Sequence, residues 1–207
     1  MLFRLIFLCF KRLFYFKKQG LFEPCYTHFI VNPFDLDTNM HMNNGRYLSI
    51  MDLGRFDMLI KPRVFWKLIR AGYYPVVVSE SIRFRKSLSL GQRFYIKTEI
   101  ESWDEKDFYI KQIFYVKSNL KIKSNLKSNS SENAQSSSTS FPAESDEIQA
   151  VGYIKGRFKK RGVSASIPTP EIFKFLNQTD YPIQKKSALA LAQDGIEKNL
   201  NEVIFKK

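Results

Sequence analysis

Between positions 35 and 44 the chain places Asp35, Asp37, Asn39, His41, Asn43 and Asn44, six side chains able to ionise or hydrogen-bond within ten residues. A carboxylate in such a cluster can attack a carbonyl carbon itself or take a proton from a water that does so. The residues that follow have helical periodicity. A helix start leaves backbone N–H groups unpaired and a positive dipole end, which suits a developing oxyanion. Gly45 would let a ligand approach that backbone closely. Taken singly, Asp and Asn here are ordinary turn and N-cap residues, and Asp35 reads as structural. His41 is one of two histidines; the other, His28, lies in a strand-like run and reads as structural.

The elements around this cluster follow from hydrophobic spacing. Residues 25–33 have strand character. Residues 44–60 read as a helix, with Tyr47, Met51, Gly54 and Met58 on one face at the 3.6-residue period. Gly54 within that face predicts a close backbone approach. A second helix is expected over 63–72. Strands are expected over 76–85, 94–100, 108–117 and 148–160, the last three alternating apolar and polar residues. Turns are expected at 89–91 and 103–106. In the last strand Ile148, Ala150, Gly152, Ile154, Gly156 and Phe158 are assigned to one face. A short helix is expected over 171–176, and another over 186–199 that Gly195 ends or kinks. The order is strand, helix, then four strands. It implies an α+β domain in which one helix packs on a sheet with one buried face.

The 207 residues carry a net charge of +13, distributed unevenly. Residues 1–18 hold Arg4, Lys11, Arg12, Lys17 and Lys18 and no acid. Their apolar run is too short and too charged for the roughly 20 residues of a membrane span. It suits a helix lying in the interface of an anionic membrane, and a peripherally membrane-associated cytoplasmic protein is the expectation. Lys155, Arg157, Lys159, Lys160 and Arg161 form a second basic run. No helix-turn-helix, RNP or zinc-finger pattern accompanies this charge, so no nucleic-acid partner is expected. Cys9 and Cys25 have no metal-ligand spacing, and both read as buried or membrane-facing. The Ser- and Asn-rich stretch 118–146 lacks the apolar residues to fold and reads as an insertion within a hairpin. The expected organisation is a segment 1–20, a domain 21–168 containing that insertion, and a C-terminal helical extension 169–207.

Asp35-Leu36-Asp37, followed by His41-Met42-Asn43-Asn44 and Tyr47, resembles the signature of the hotdog-fold thioesterases, in particular the 4-hydroxybenzoyl-CoA thioesterase-like branch. Residues 40–47 are also similar to the membrane-associated thioesterase-superfamily-member-6 type, and the whole segment to the plant acyl-ACP thioesterases. The resemblance spans about residues 22–168. It implies an antiparallel sheet wrapped around one central helix, hydrolysis of an acyl-CoA or acyl-ACP thioester without cofactor or metal, and a homodimer or dimer of dimers. It makes Asp37 the catalytic carboxylate, with Asn39 and His41 positioning it, water or substrate. Asn43, Asn44, Gly45 and Tyr47 would then meet the substrate. The phosphates of CoA call for Arg or Lys at the site; Arg83, Arg85 and Lys86 are the first candidates, Arg157 and Lys159 the second. Two departures stand out. The region of Arg83 to Ser87 has no acid where the plant enzymes use one, which leaves a non-hydrolytic acyl-thioester binding protein as the alternative. Asp52 occupies the helix position where many members carry Glu, and it is also spaced to pair with Arg55.

Overall fold

Period-two alternation runs through the middle of the chain, and those segments form one antiparallel sheet. A computed structural model describes residues 19–117 and 146–178, with positions 4, 6, 8, 10, 188, 191, 192, 194–196, 198 and 199. Its strands are β1 (Cys25–Ile30), β2 (Tyr73–Phe84), β3 (Arg93–Trp103), β4 (Asp107–Val116), β5 (Glu147–Lys160) and β6 (Val163–Ile167). Their order is β1-β3-β4-β5-β2, with β6 on the end of β5. Helix α1 (Asn44–Ile60) lies against the sheet; α2 (Val64–Arg70) and α3 (Thr169–Phe175) are short. The expected strand 148–160 thus begins one residue earlier, and the expected strand 76–85 begins at Tyr73. Cys9 and nearly all of the 118–146 stretch lie outside the described residues.

Tyr47, Ile50, Met51, Leu53, Gly54, Asp57 and Met58 are the buried residues of α1. Tyr47, Ile50, Met51 and Met58 share one core with Ile96, Ile110, Phe114 and Ile154 of the sheet. The approach is close at Gly54, where a Cβ would stand 2.8 Å from Gln112 Nε2 and 2.9 Å from Thr98 Oγ1. Those two atoms cannot easily retreat. Gln112 Nε2 donates to Met51 O (3.0 Å) and to Thr98 Oγ1 (2.9 Å), which ties helix to sheet below the glycine. Arg55 extends the network, donating to Gln112 Oε1 (3.0 Å) and Glu80 Oε1 (2.9 Å) and pairing with Asp52. Gly54→Ala is therefore expected to cost about 1–3 kcal/mol through overpacking, despite the roughly 1 kcal/mol that alanine gains in helix propensity. Chemical denaturation checks this; a stabilised variant would mean that helix and sheet do not meet as tightly as described.

The sheet curls through β-bulges, which add local twist. Register shifts occur between Val77 and Ser79, between Ile100 and Ser102, and between Phe114 and Tyr115 opposite β5. The last corrects an assignment: Ile148 does not share the face of Ala150. One extra residue, Gln149, transfers Ile148 to the outer face, where it packs with Tyr95, Ile113 and Tyr115. That outer face is not simply solvated, contrary to the expectation of a single buried face. Tyr95, Tyr109, Ile113 and Tyr115 are all buried. Asp194, from the helical C-terminal positions, accepts from Tyr109 Oη (2.8 Å) and from Lys155 Nζ (2.8 Å). Asp194 thus caps polar side chains on this face. Gly195 is helical, and so are positions 198 and 199, so the glycine does not end that helix.

At the far end of the domain, α3 inserts Phe173 against Trp103 (centroids 5.1 Å, 89°) and Phe22 (5.1 Å, 81°). The short strand β6 was not anticipated. Val163, Ala165 and Ile167 do alternate there with Ser164 and Ser166, but the run is only five residues long and poor in large apolar side chains; the turn at Arg161-Gly162, with Gly162 at φ +75, leads into it.

Candidate active site

Asp35 to Asn43 folds as a small hairpin beside the start of α1. Leu36 and Met42 form a bridge. Asp37 N donates to His41 O (2.8 Å), and Met40 N to Asp37 O (3.1 Å). Met40 adopts φ +59, the left-handed residue that closes a three-residue hairpin loop. Glycine or asparagine fills such a position at least cost, so a methionine there stores about 1–2 kcal/mol of backbone strain. The hairpin is anchored on both sides. Asn43 N donates to Asp35 O (2.8 Å), and Met42 N to Leu88 O (2.8 Å) in the β2–β3 connection. His41 bridges Ser89 of the same connection.

Within this frame Asp37 is half-buried and holds its own turn. Its Oδ1 accepts from Asn39 N (2.8 Å) and His41 N (3.3 Å). Its Oδ2 has no partner among the described residues. The side chains of Asn39 and His41 are exposed on the same hairpin. Asn43 is the N-cap of α1, its side chain accepting from Gly45 N (2.9 Å). This takes one of the amides at the helix start out of use as an oxyanion donor. The Gly45 N–H is already satisfied, and Asn44 N, also at the helix opening, is the one left without a partner among the described residues.

Other expected site residues take different parts. Tyr47 does not open onto substrate space. It is 2% exposed, packs on Phe84 and Phe114, and accepts from Leu88 N (3.3 Å), which fixes the connection that clamps the hairpin. Burial raises its phenol pKa, so it stays a neutral hydroxyl. Arg83, at the end of edge strand β2, and Arg85 and Lys86 just beyond it, are exposed. Lys86 pairs with Glu147, whose carboxyl that contact holds below its usual pKa. Arg157 is committed to Asp107 (2.6 and 3.0 Å), and Lys159 donates to Ser164 O (2.7 Å). Asp35 is buried and structural in its bonding: it accepts from Arg4 (2.6 and 3.1 Å) and from Asn32 N (3.0 Å). Sequence reasoning missed this clamp and the one from Leu88, because neither Arg4 nor Leu88 carries a local signal for a partner so distant in the chain.

An apolar cavity of about 210 Å³ lies along the C-terminal half of α1. Phe56, Met58, Leu59, Val64, Leu68 and Val77 line it, and Asp52 and Arg55 form a polar edge. Tyr47 and Met51, on the same helix, are not in its lining and belong to the packed core. Among the described residues no group of His, Cys, Asp and Glu could hold a metal ion.

The model of the thioesterase-like superfamily matches residues 31–137, which include the hairpin, α1 and the β2–β3 connection. Protein THEM6 of Xenopus laevis is 41% identical over 83 residues, 40% of this chain and 40% of that protein. The match thus spans about two fifths of the length of such curated relatives. Among solved structures, the YbaW probable thioesterase from Escherichia coli superposes with a TM-score of 0.58 at 18% identity, covering 76% of this chain and 99% of that one. Slr0204, a 1,4-dihydroxy-2-naphthoyl-CoA thioesterase from Synechocystis, superposes at 0.55 and 14% identity, covering 77% and 100%. At such identities the structural likeness establishes the fold, the curled hotdog sheet around one helix. With more than half of its length matched by the family model, the chain belongs to the thioesterase-like superfamily.

Proposed function

We propose that this protein hydrolyses a fatty acyl or aryl thioester of CoA to the free acid and thiol, with Asp37 as the catalytic carboxylate, and that it works at a membrane surface. The observation that carries the reading is the asymmetric tethering of Asp37. One oxygen is fixed by two backbone N–H groups of its own hairpin, and the other has no partner among the described residues. A carboxylate held this way keeps its orientation and still offers a lone pair. In hydrolysis, Oδ2 accepts a proton from water as the water oxygen bonds to the carbonyl carbon. The C–S bond then breaks, and the thiolate takes up that proton. By the covalent route Oδ2 itself bonds to the carbonyl carbon, the thiolate leaves, and water cleaves the anhydride. Either route builds negative charge on the carbonyl oxygen, for which Asn44 N–H is the assigned donor. Asn39, His41, Asn43 and Gly45 surround that position in sequence and are assigned to hold water or substrate. Arg83 and Arg85 are assigned to the CoA phosphates in preference to Lys86, which already has a carboxylate partner. Membership of the superfamily supports the reaction class.

The cavity along α1 is assigned to the acyl group. An engineered apolar cavity of about 150 Å³ takes up benzene, so the 210 Å³ here has room for an aryl ring or a stretch of alkyl chain. Thiol release from purified protein across an acyl-CoA series tests both points. Leu59→Trp is expected to lower kcat/KM on the longest good substrate about tenfold while sparing short ones, since a pocket discriminates by the volume it offers. Equal loss on all lengths would remove the cavity from the reading. Binding of every thioester without thiol release would establish the non-hydrolytic alternative. The edge of β2 is the proposed dimer seam, joining two sheets into one; a monomer in light scattering would refute it. The membrane assignment rests on the basic, apolar residues 1–18, since no helix among the described residues is long and apolar enough to cross a bilayer.

A further inference from the structure

We propose that the end of the folded domain carrying the Asp37 hairpin is itself a docking face for an anionic bilayer, in which Ile30, Phe34, Met40 and Leu90 enter the lipid. These side chains are 49%, 83%, 61% and 49% exposed. Hydrogen bonds place them together. Ile30 ends β1, and the next residue, Val31, exchanges bonds with the β2–β3 turn that carries Leu90: Gly91 N donates to Val31 O (2.9 Å) and Val31 N to Gln92 O (3.1 Å). That turn also bridges the hairpin whose tip is Met40, through Ser89 and His41. Phe34 enters the hairpin, and its carbonyl accepts from Arg46 (2.9 Å). Four large apolar side chains, one at a strand end and three in loops, thus stand at one end of a sheet, where core packing gives no reason for them.

Two further features select a bilayer as the occupant. Arg4, Arg46 and Arg93 belong to the same end, against Asp35, which Arg4 already neutralises, and Asp37; the neighbouring Lys86 and Glu147 cancel. Basic side chains ringing exposed apolar ones is the pattern of interfacial lipid binding. A second copy of this chain fits worse, because a two-fold contact would set each arginine near its own counterpart. The N-terminal helical positions are also fixed here. Arg4 reaches Asp35 and Ile30 O (2.8 Å), and Leu8 is buried, while Ile6 and Phe10 remain 56% and 60% exposed. Through Arg4 the described N-terminal helical positions thus join the loop tips at the same end of the domain. Docked by it, the domain would hold the Asp37 hairpin against the bilayer, so a lipophilic thioester would pass from membrane to protein without crossing water. This inference rests on the membrane part of the proposed function and is independent of the chemistry of Asp37.

The test uses the full chain and vesicles of equal parts phosphatidylserine and phosphatidylcholine brominated in its acyl chains. Phe34→Trp adds an indole at the proposed depth, and its fluorescence above that of the wild-type protein is expected to be quenched on binding. The variant Phe34→Glu with Leu90→Glu, its residues 1–18 intact, is expected to lose at least about tenfold in vesicle affinity, since two buried apolar side chains are removed from lipid. Its melting temperature should stay unchanged, because both positions are exposed. Sedimentation of the protein with vesicles without quenching at position 34 overturns the docking face and leaves the N-terminal anchor standing. Vesicle affinity unchanged by the double variant, with a change in oligomeric mass in light scattering, overturns it in favour of contact between copies. Failure of the wild-type chain to sediment with vesicles overturns both membrane proposals, and thiol release then reports on the hydrolase reading separately.

Discussion

Asp37→Asn is expected to lower kcat for thiol release by about 10²–10⁴-fold, the span usual for loss of a positioned general base, with folding unchanged. The asymmetry of the tether makes the substitution clean. An asparagine carbonyl oxygen can still accept from Asn39 N and His41 N, so the hairpin keeps its shape. Only the unpartnered oxygen changes, from an acceptor that can take a proton or attack carbon to an amide that can do neither. KM should move little, because Asp37 is assigned no binding contact. Single turnover in ¹⁸O-labelled water reads the route: attack by Oδ2, with water then adding to the Asp37 carbonyl carbon of the anhydride, leaves ordinary oxygen in the first acid released and the label in Asp37, whereas attack by water on the thioester puts the label in the acid and none in Asp37. Near-wild-type thiol release from a correctly folded variant would dismiss Asp37 as the catalytic group, and with it the assignment of Asn44 N–H.

How far such a site can be read from sequence depends on whether its parts are local. The turn and the helix start were legible because turn formers, N-cap and helical period are neighbours in the chain: Asn43 caps α1, and α1 spans the expected 44–60. Strands β3 and β4 were legible by alternation, and Gly54 by its place on a buried face. Contacts made across the fold left no such trace. The family resemblance implies a substrate contact for Tyr47, yet its ring completes the core and its hydroxyl serves Leu88, 41 positions away. Ile148 changed faces through a single bulged residue, which a period-two reading cannot anticipate. Asp57 and Lys61 carry no such signal either, since an i, i+4 acid–base pair on a helix ordinarily faces water.

That pair is instead buried, and Asp57→Ala is expected to destabilise the protein by about 3–5 kcal/mol, the usual cost of stranding one member of a buried ion pair. Asp57 is 0% exposed and the Lys61 side chain 6%. Asp57 Oδ2 accepts from Thr27 Oγ1 (2.6 Å) and lies 3.5 Å from Lys61 Nζ. Lys61 Nζ also donates to Tyr26 O (3.0 Å) and to Cys25 Sγ (3.2 Å). The cluster joins the C-terminal end of α1 to edge strand β1, so its loss loosens the helix from the sheet at the end away from the hairpin. Adding Lys61→Met to Asp57→Ala should recover part of the loss, because two apolar side chains leave no buried charge unpaired. Cys25 reports on the same cluster. Burial, and next the charge of Asp57, push its thiol from 9.0 up to about 11. The folded state therefore holds the proton that the unfolded chain releases, and this part of the stability is complete below pH 9 and lost as pH rises through about 11. Removing Asp57 lowers that thiol pKa while Lys61 remains, so alkylation of Cys25, followed by peptide mass spectrometry, should set in at lower pH in the single variant than in the wild type. A single variant within about 1 kcal/mol of wild type, against the 3–5 expected for a stranded buried charge, would mean that water reaches Lys61 and that this end of α1 is held by apolar packing alone.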